Sequence, residues 1–156
     1  MLTNFLTQVR QRQPLVHCIT NYITANDCAN LLLACGASPI MADDPEEAAE
    51  ITAHADALVL NLGTLHSQTL PAMLASGRQA NALGLPVLLD PVGVGASAFR
   101  ARAAAQLLEQ VRFTAIRGNS SEIKVLARGS GLAHGVDAAP QEAPAPETPD
   151  EGEANQ

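Results

Sequence analysis

The spacing of apolar residues along the chain alternates between a helical pattern and short continuous runs. The first thirteen residues place their apolar side chains on one face, so residues 1–13 are predicted to form an amphipathic helix that ends at Pro14. Ala57–Leu62 is instead an apolar run with a single polar residue, Asn61, and is predicted to be a strand buried on both faces. Similar segments of both kinds follow each other along most of the chain.

Helices and short strands therefore alternate, which is typical of an α/β fold with a mostly parallel sheet flanked by helices. The third helix is predicted to open at Asp43-Asp44-Pro45, with Glu46 and Glu47 in its first turn. Further helices are predicted at 24–34, 70–83, 99–111 and from 120 onward, and further strands at 15–19, 37–41, 86–89 and 115–116.

Polar residues follow most of these strands. They are Asn21, Asp43, Asn61–Thr64, Asp90 and Arg117–Asn119. Because the carboxyl ends of parallel strands meet at one edge of a sheet, where ligands collect, this repetition predicts a binding site there.

The composition changes near Gly135. Residues 137–156 hold four prolines and six of the sixteen acidic residues, without any Lys, Arg, Leu, Ile or Val. Such a segment buries too little apolar surface to offset the cost of ordering. Two parts are therefore predicted: a folded α/β domain over residues 1–134, and an acidic, disordered tail over 135–156.

The charge of the body argues against nucleic-acid binding. All nine basic residues precede the tail, against ten acidic ones, so the net charge of −7 belongs mainly to the tail. No signal peptide and no apolar run of about 20 residues is evident, so a cytoplasmic chain without membrane contact is predicted. The odd count of cysteines (Cys18, Cys28 and Cys35) and the absence of metal-ligand spacing favour small buried side chains in a reducing compartment.

Asp90 belongs to the first segment with candidate chemistry, Val-Leu-Leu-Asp-Pro-Val-Gly-Val-Gly-Ala-Ser at 87–97. A strand delivers the carboxylate to its end, and Gly93 and Gly95 allow a ligand close to the backbone. Asp90 could hold Mg²⁺ on nucleotide phosphates, or it could cap a helix in an ordinary turn. Spacing alone leaves both readings open.

Arg117 belongs to the second segment, Ile-Arg-Gly-Asn-Ser-Ser-Glu-Ile at 116–123. An arginine between a strand and a helix suits a phosphate, and Glu122 could reach a metal directly or through water. The alternative is a capping box in which Asn119 or Ser120 pairs with Glu122.

The third segment runs from His17 to Asn30 and is rich in asparagine. Asn21 could recognise a small heterocycle or an alcohol, or could only satisfy loop backbone. His17 alone is more typical of a hydrogen-bonded core histidine than of a base.

These segments and two others resemble the hydroxyethylthiazole kinase family in residues and in order over about 10–130. The matching motifs are His-Cys-Ile-Thr-Asn (17–21), Gly-Ala-Ser-Pro-Ile-Met-Ala (36–42), Leu-Asn-Leu-Gly-Thr-Leu (60–65), Leu-Asp-Pro-Val-Gly-Val-Gly-Ala-Ser (89–97) and Ile-Arg-Gly-Asn-Ser-Ser-Glu-Ile (116–123).

The resemblance implies a ribokinase-like fold, incomplete at its C-terminal side. It also implies a homotrimer in thiamine biosynthesis that phosphorylates the hydroxyl of 4-methyl-5-(2-hydroxyethyl)thiazole with ATP and Mg²⁺. Met41 would contact the thiazole, with Asn21 nearby, and Gly63 and Thr64 would close the site from a neighbouring chain. The remaining implied roles are ATP binding for Arg117 and Asn119 and metal binding for Asp90 and Glu122.

The family's later nucleotide-binding threonine and its glycine-rich segment with a cysteine have no counterpart in this sequence. No catalytic residue is therefore assigned, and the expectation is a truncated or frameshifted frame whose product is marginally stable and inactive. Two alternatives are a ribokinase-like kinase for another small alcohol, and a non-catalytic chain that binds thiazole or joins trimers of an intact relative. A dinucleotide-binding domain is disfavoured because no G-x-G-x-x-G follows the first strand.

Overall fold

The computed structural model describes residues 2–129, which form a parallel five-stranded sheet with helices on both faces. The predicted α/β class is confirmed, whereas the predicted tail at 135–156 lies outside the described residues. The strands are β1 (Leu15–Ile19), β2 (Ser38–Ile40), β3 (Ala57–Asn61), β4 (Val87–Asp90) and β5 (Ala115–Ile116). The helices are α1 (Leu2–Arg12), α2 (Ala25–Cys35), α3 (Ala48–Ala53), α4 (Thr69–Leu83), α5 (Ala98–Gln110) and α6 (Ser120–Gly129).

The strands lie in the order β2-β1-β3-β4-β5, and every neighbouring pair is parallel. The chain moves outward from β1 to β2 and then returns across β1 to begin β3, so the direction of winding reverses there. In sheets of this type the loops diverge at the reversal and leave a crevice beyond the carboxyl ends of the two central strands. Pro39, the middle residue of β2, pairs with Val16 of β1.

The main core lies on one face of the sheet. Leu58, Leu60 and Leu62 are at most 1% exposed and pack with Met73 of α4 and Leu107 of α5. At about 25 cal/mol per Å² of apolar surface, such fully buried side chains are the principal stabilising contribution.

The opposite face is covered less completely, so the prediction that β3 is buried on both faces was too strong. Val59 is only half-buried there, in a smaller cluster with Val16 and Cys18 beneath Val9 of α1 and Leu32 of α2. Helix α2 has no fully buried residue, and its Leu31 is 67% exposed. This face therefore presents apolar side chains to solvent. Ile116, at the β5 end of the sheet, is also exposed.

The third helix begins later than predicted. Glu46 and Glu47 lie in a turn, and α3 starts at Ala48. The side chain of Asp44 accepts a hydrogen bond from the Glu46 N–H at 2.8 Å, and its carbonyl accepts from the Ala48 N–H at 2.9 Å. This local turn competes with regular helix, as is usual for aspartate beside proline.

Within residues 2–129, none of the helices combines the length and apolar character needed to cross a bilayer.

Candidate active site

Asp90 and Arg117 are brought together by the register of the last two strands. Leu89 of β4 pairs with Ile116 of β5, so Asp90, the last residue of β4, and Arg117, which follows β5, are neighbours. The Arg117 Nη1 donates to Asp90 Oδ2 at 2.9 Å. Asp90 is 9% exposed, while the Arg117 side chain is 78% exposed. A buried carboxylate thus orients a guanidinium whose remaining surface faces solvent.

Glu122 lies in the first turn of α6 and contacts the two loops that follow β4 and β5. Its Oε2 accepts from the Asn119 N–H at 2.9 Å, and the Glu122 N–H donates to Asn119 Oδ1 at 2.9 Å. This is the capping box that the sequence left open, with Asn119 rather than Ser120 as the cap. Glu122 Oε1 also accepts from the Gly93 N–H at 3.1 Å. The same carboxylate therefore ties α6 to the glycine-rich loop after β4.

The loop after β4 turns sharply at Gly93. Its φ of +65° is a left-handed conformation that favours glycine. Arg100 of α5 braces this turn, because its Nη1 donates to the Val92 carbonyl at 2.9 Å. A Cβ added at Gly93 would lie 2.5 Å from that Nη1. Sequence analysis missed Arg100, although an arginine in the first turn of a helix after a glycine-rich loop was a usable signal.

Ser97 caps α5, since its Oγ accepts from the Arg100 N–H at 3.2 Å. The alternative of Asp90 as a helix cap was therefore wrong: Asp90 pairs with Arg117 across strands.

The carboxylates of Asp90 and Glu122 fit a magnesium ion by their chemistry. Mg²⁺ in phosphotransferases takes one or two carboxylates and completes its shell with water and phosphate oxygens. No group of three or more His, Cys, Asp or Glu side chains that could hold a metal is present in residues 2–129. The donor set thus suits an ion that arrives with phosphates better than a resident structural metal.

Met41 lines a small cavity of about 150 Å³ at the ends of β1 and β2. Cys18, Thr20 and Ala25 contribute to the walls, and Met41 itself is 37% exposed. Burial raises the pKa of the Cys18 thiol to about 11, so the thiol is neutral at physiological pH. The walls are mainly apolar and suit a small, uncharged ring.

His17 lies behind this cavity and is fully buried. Its Nδ1 lies 2.8 Å from Thr52 Oγ1, and its Nε2 lies 2.8 Å from the Ala42 carbonyl. Burial lowers the pKa of His17, which favours the neutral ring. Since a carbonyl only accepts, the Nε2–H tautomer donates to Ala42. The single hydroxyl proton of Thr52 is within reach of both Nδ1 and the Ala48 carbonyl, which lies 2.8 Å from Thr52 Oγ1. His17 is thus the core histidine expected from the sequence, and it anchors the segment that carries Met41.

Asn21, Gly63 and Thr64 meet where the winding of the sheet reverses. Asn21 Oδ1 accepts from the Thr24 N–H at 2.9 Å, so this amide oxygen satisfies loop backbone. A Cβ added at Gly63 would lie 2.8 Å from Asn21 Cβ, which shows how tightly the two loops pack. Thr64 has a φ of +45°, which is strained for a β-branched residue.

Tyr22 is a further residue of this region that sequence analysis did not single out. Its N–H donates to Thr64 Oγ1 at 3.2 Å, and its hydroxyl donates to the Asp43 carboxylate. These contacts join residues 42 and 21 positions apart in the chain, so spacing along the sequence could not show them.

Comparison with known proteins decides the family. The model of the "Hydroxyethylthiazole kinase family" matches residues 6–149. The chain belongs to the hydroxyethylthiazole kinase family. A hydroxyethylthiazole kinase of Clostridium acetobutylicum is 60% identical over 138 residues, covering 88% of this chain and 50% of that protein. One of Desulfovibrio desulfuricans is 56% identical over 138 residues, covering 88% and 48%.

A solved structure supports the same assignment. The hydroxyethylthiazole kinase protein of Pyrococcus horikoshii OT3 superposes with a TM-score of 0.79 at 45% identity, covering 83% of this chain and 51% of that one. The chain spans about half the length of the family members it matches.

Proposed function

We propose that this chain serves the ATP-dependent phosphorylation of the hydroxyl of 4-methyl-5-(2-hydroxyethyl)thiazole, in the cytoplasm and for thiamine biosynthesis. The observation that carries the proposal is the convergence of Asp90, Arg117 and Glu122 beyond β4 and β5, on the same sheet edge as the cavity at Met41. Similar proteins named as hydroxyethylthiazole kinases support it.

The phosphate end of the proposed reaction rests on Arg117. Phosphoryl transfer depends mainly on positioning and on neutralising charge, and the exposed guanidinium supplies fixed positive charge. Asp90 holds that guanidinium by a 2.9 Å hydrogen bond, and Glu122 holds the Gly93 turn beside it. Asn119, whose Oδ1 caps α6 by accepting from the Glu122 N–H, would contact ATP at the same edge.

Asp90 and Glu122 would hold Mg²⁺ directly or through water. When bound, Mg²⁺ supplies further neutralisation of the phosphate charge.

The substrate end rests on the cavity at Met41. A flexible thioether beside the neutral Cys18 thiol gives an adaptable apolar wall for a thiazole ring. Asn21 would lie nearby, and Gly63 and Thr64 would close the site in a homotrimer. The exposed apolar residues Ile23 and Leu31 support association, since such side chains commonly mark subunit interfaces.

The division into a kinase part at 1–134 and a tail at 135–156 is likewise proposed, although the family match continues to residue 149. No catalytic residue is assigned within the described residues. We therefore expect the 156-residue chain to bind thiazole but not to turn it over. The alternative role is a non-catalytic chain that binds thiazole or joins trimers of an intact relative.

The test is a phosphorylation assay with the purified chain, ATP, Mg²⁺ and the thiazole alcohol, beside calorimetry with the thiazole alone. Binding without turnover is the expected outcome. Turnover above a no-enzyme control would show that the chain is itself an active kinase, and absence of binding would contradict the substrate assignment. Size-exclusion chromatography of the chain, alone and mixed with the Clostridium acetobutylicum enzyme, tests the subunit role: co-elution supports it.

A further inference from the structure

Tyr22 lies where the loops after β1, β2 and β3 meet. From the β1 loop, its N–H reaches Thr64 of the β3 loop and its hydroxyl reaches Asp43 of the β2 loop. Its ring centroid is 6.3 Å from that of His66, also in the β3 loop. One side chain and its backbone thus connect three loops at the sheet edge.

The Tyr22–Asp43 pair also lies between two cavities. Both residues line the apolar cavity that contains Met41. Both also line a second cavity of about 220 Å³, whose other walls include Asp44, His66 and Gln68. The hydrogen-bonded pair is therefore the wall shared by a small apolar space and a larger polar one.

Core packing does not account for this arrangement. Tyr22 is 63% exposed, so its ring contributes little to the buried core. Thr64 adopts its strained conformation while accepting from the Tyr22 N–H. Strained backbone and an anchored, exposed aromatic residue are features that proteins retain mainly at binding sites.

We propose that Tyr22 is a positioning residue, which holds the three loops together and keeps a small apolar ring in the Met41 cavity by closing it from the polar cavity. The identity of that ring as the thiazole rests on the proposed function. Loss of the hydroxyl frees the Asp43 side chain and loosens the wall, and loss of the ring joins the two spaces.

The contact can be tested without any ligand, because Tyr22 is the single tyrosine and the chain has no tryptophan. The hydrogen bond to Asp43 raises the pKa of Tyr22. Ultraviolet titration of the full chain should therefore show a raised pKa, and Asp43→Asn should lower it toward the ordinary value of about 10. Asp44→Asn is the matched control, because Asp44 Oδ1 bonds the Glu46 N–H instead. Identical titrations in all three proteins would overturn the proposal.

Positioning can be measured by amide hydrogen exchange in Tyr22→Phe, which keeps the ring. Exchange in residues 41–44 should become about fivefold faster, the effect of losing one hydrogen bond worth about 1 kcal/mol. Residues 62–66, which the Tyr22 N–H still contacts through Thr64, should change less. Amides of β3 and β4 should be unchanged. Unchanged exchange in residues 41–44 would remove the positioning role, whether or not the chain binds thiazole.

Selectivity between two ligands tests the role of Tyr22 separately from the proposed function of the chain. Calorimetry should compare the thiazole alcohol with a benzo-fused analogue in the chain and in Tyr22→Ala. We expect the ratio of the two dissociation constants to shift toward the larger ligand by about tenfold, or about 1.4 kcal/mol. An unshifted ratio would contradict the role of Tyr22 as a wall. If the unmodified chain binds neither ligand, the proposed function fails, while hydrogen exchange still decides whether Tyr22 positions the loops.

Discussion

Replacing Glu122 by alanine removes two hydrogen-bond acceptors at once, one for the Asn119 N–H and one for the Gly93 N–H. Loss of capping costs about 0.5–2 kcal/mol. Loss of a negative charge at a helix N-terminus costs about 0.3–1 kcal/mol more. Because Glu122 is half-buried and both contacts are local, we expect Glu122→Ala to lower the free energy of unfolding by about 1–2 kcal/mol.

Glu122→Gln separates charge from hydrogen bonding. Glutamine keeps one carbonyl oxygen that can accept from a backbone N–H, so we expect a loss of only about 0.3–1 kcal/mol. The matched control is Glu109→Ala on α5, where the side chain is exposed. There the change should stay within about 0.5 kcal/mol, as is usual for surface positions.

The assay is urea unfolding followed by circular dichroism, with hydrogen exchange of the Gly93 amide as a local readout. The Gly93 amide should lose protection in Glu122→Ala even under conditions where the strands remain protected. If Glu122→Ala unfolds at the same urea concentration as the unmodified chain, the capping box is not formed and the reasoning is refuted. A confirmed loss would also mean that reduced magnesium or ATP affinity in Glu122 variants must be compared at equal folded fraction.

Three further outcomes are expected. Burial lowers the pKa of His17 in the folded chain, so the unfolded chain takes up a proton first and stability should fall as pH drops below about 6.5. The urea midpoint of His17→Gln should therefore depend less on pH than that of the unmodified chain. The same dependence of the midpoint on pH in both proteins would contradict this. Cys18, whose pKa is raised to about 11, should react with a thiol reagent at pH 8 far more slowly than Cys28 or Cys35, and labelling of Cys18 first would contradict it. In Gly77→Ala the new Cβ would lie 2.5 Å from Val111 Cγ2. The resulting overpacking should cost about 1–3 kcal/mol, more than the gain of about 1 kcal/mol in helix propensity, so the urea midpoint should fall. A raised midpoint would contradict this.

Periodicity predicted nearly every helix and strand because the strands are short, apolar and separated by clear breaks such as Gly36 and Gly84. It failed at the start of α3, where the side chain of Asp44 forms a local turn that apolar spacing does not report. It also overstated the burial of β3, because burial depends on how completely α1 and α2 cover their face.

The sequence could predict only those parts of the site that lie at the ends of strands. Asp90 and Arg117 follow neighbouring parallel strands, so their meeting follows from topology and register. The contact between Tyr22 and Asp43 depends instead on how two loops fold back on each other across the sheet edge. Spacing carries no information on such a contact. Arg100 is different, because its place in the first turn of a helix after a glycine-rich loop could have been recognised from the sequence.

Pro39 makes one of the two edges of the sheet unfavourable for pairing with a further strand. It occupies the centre of β2, the strand beside β1 that ends the described sheet on that side. Proline has no N–H to donate, so a further strand would find an incomplete ladder there, and edge-to-edge aggregation is discouraged. β5 at the opposite side contains no proline. A further strand added to this sheet is therefore expected to join beside β5, next to the phosphate end of the proposed site.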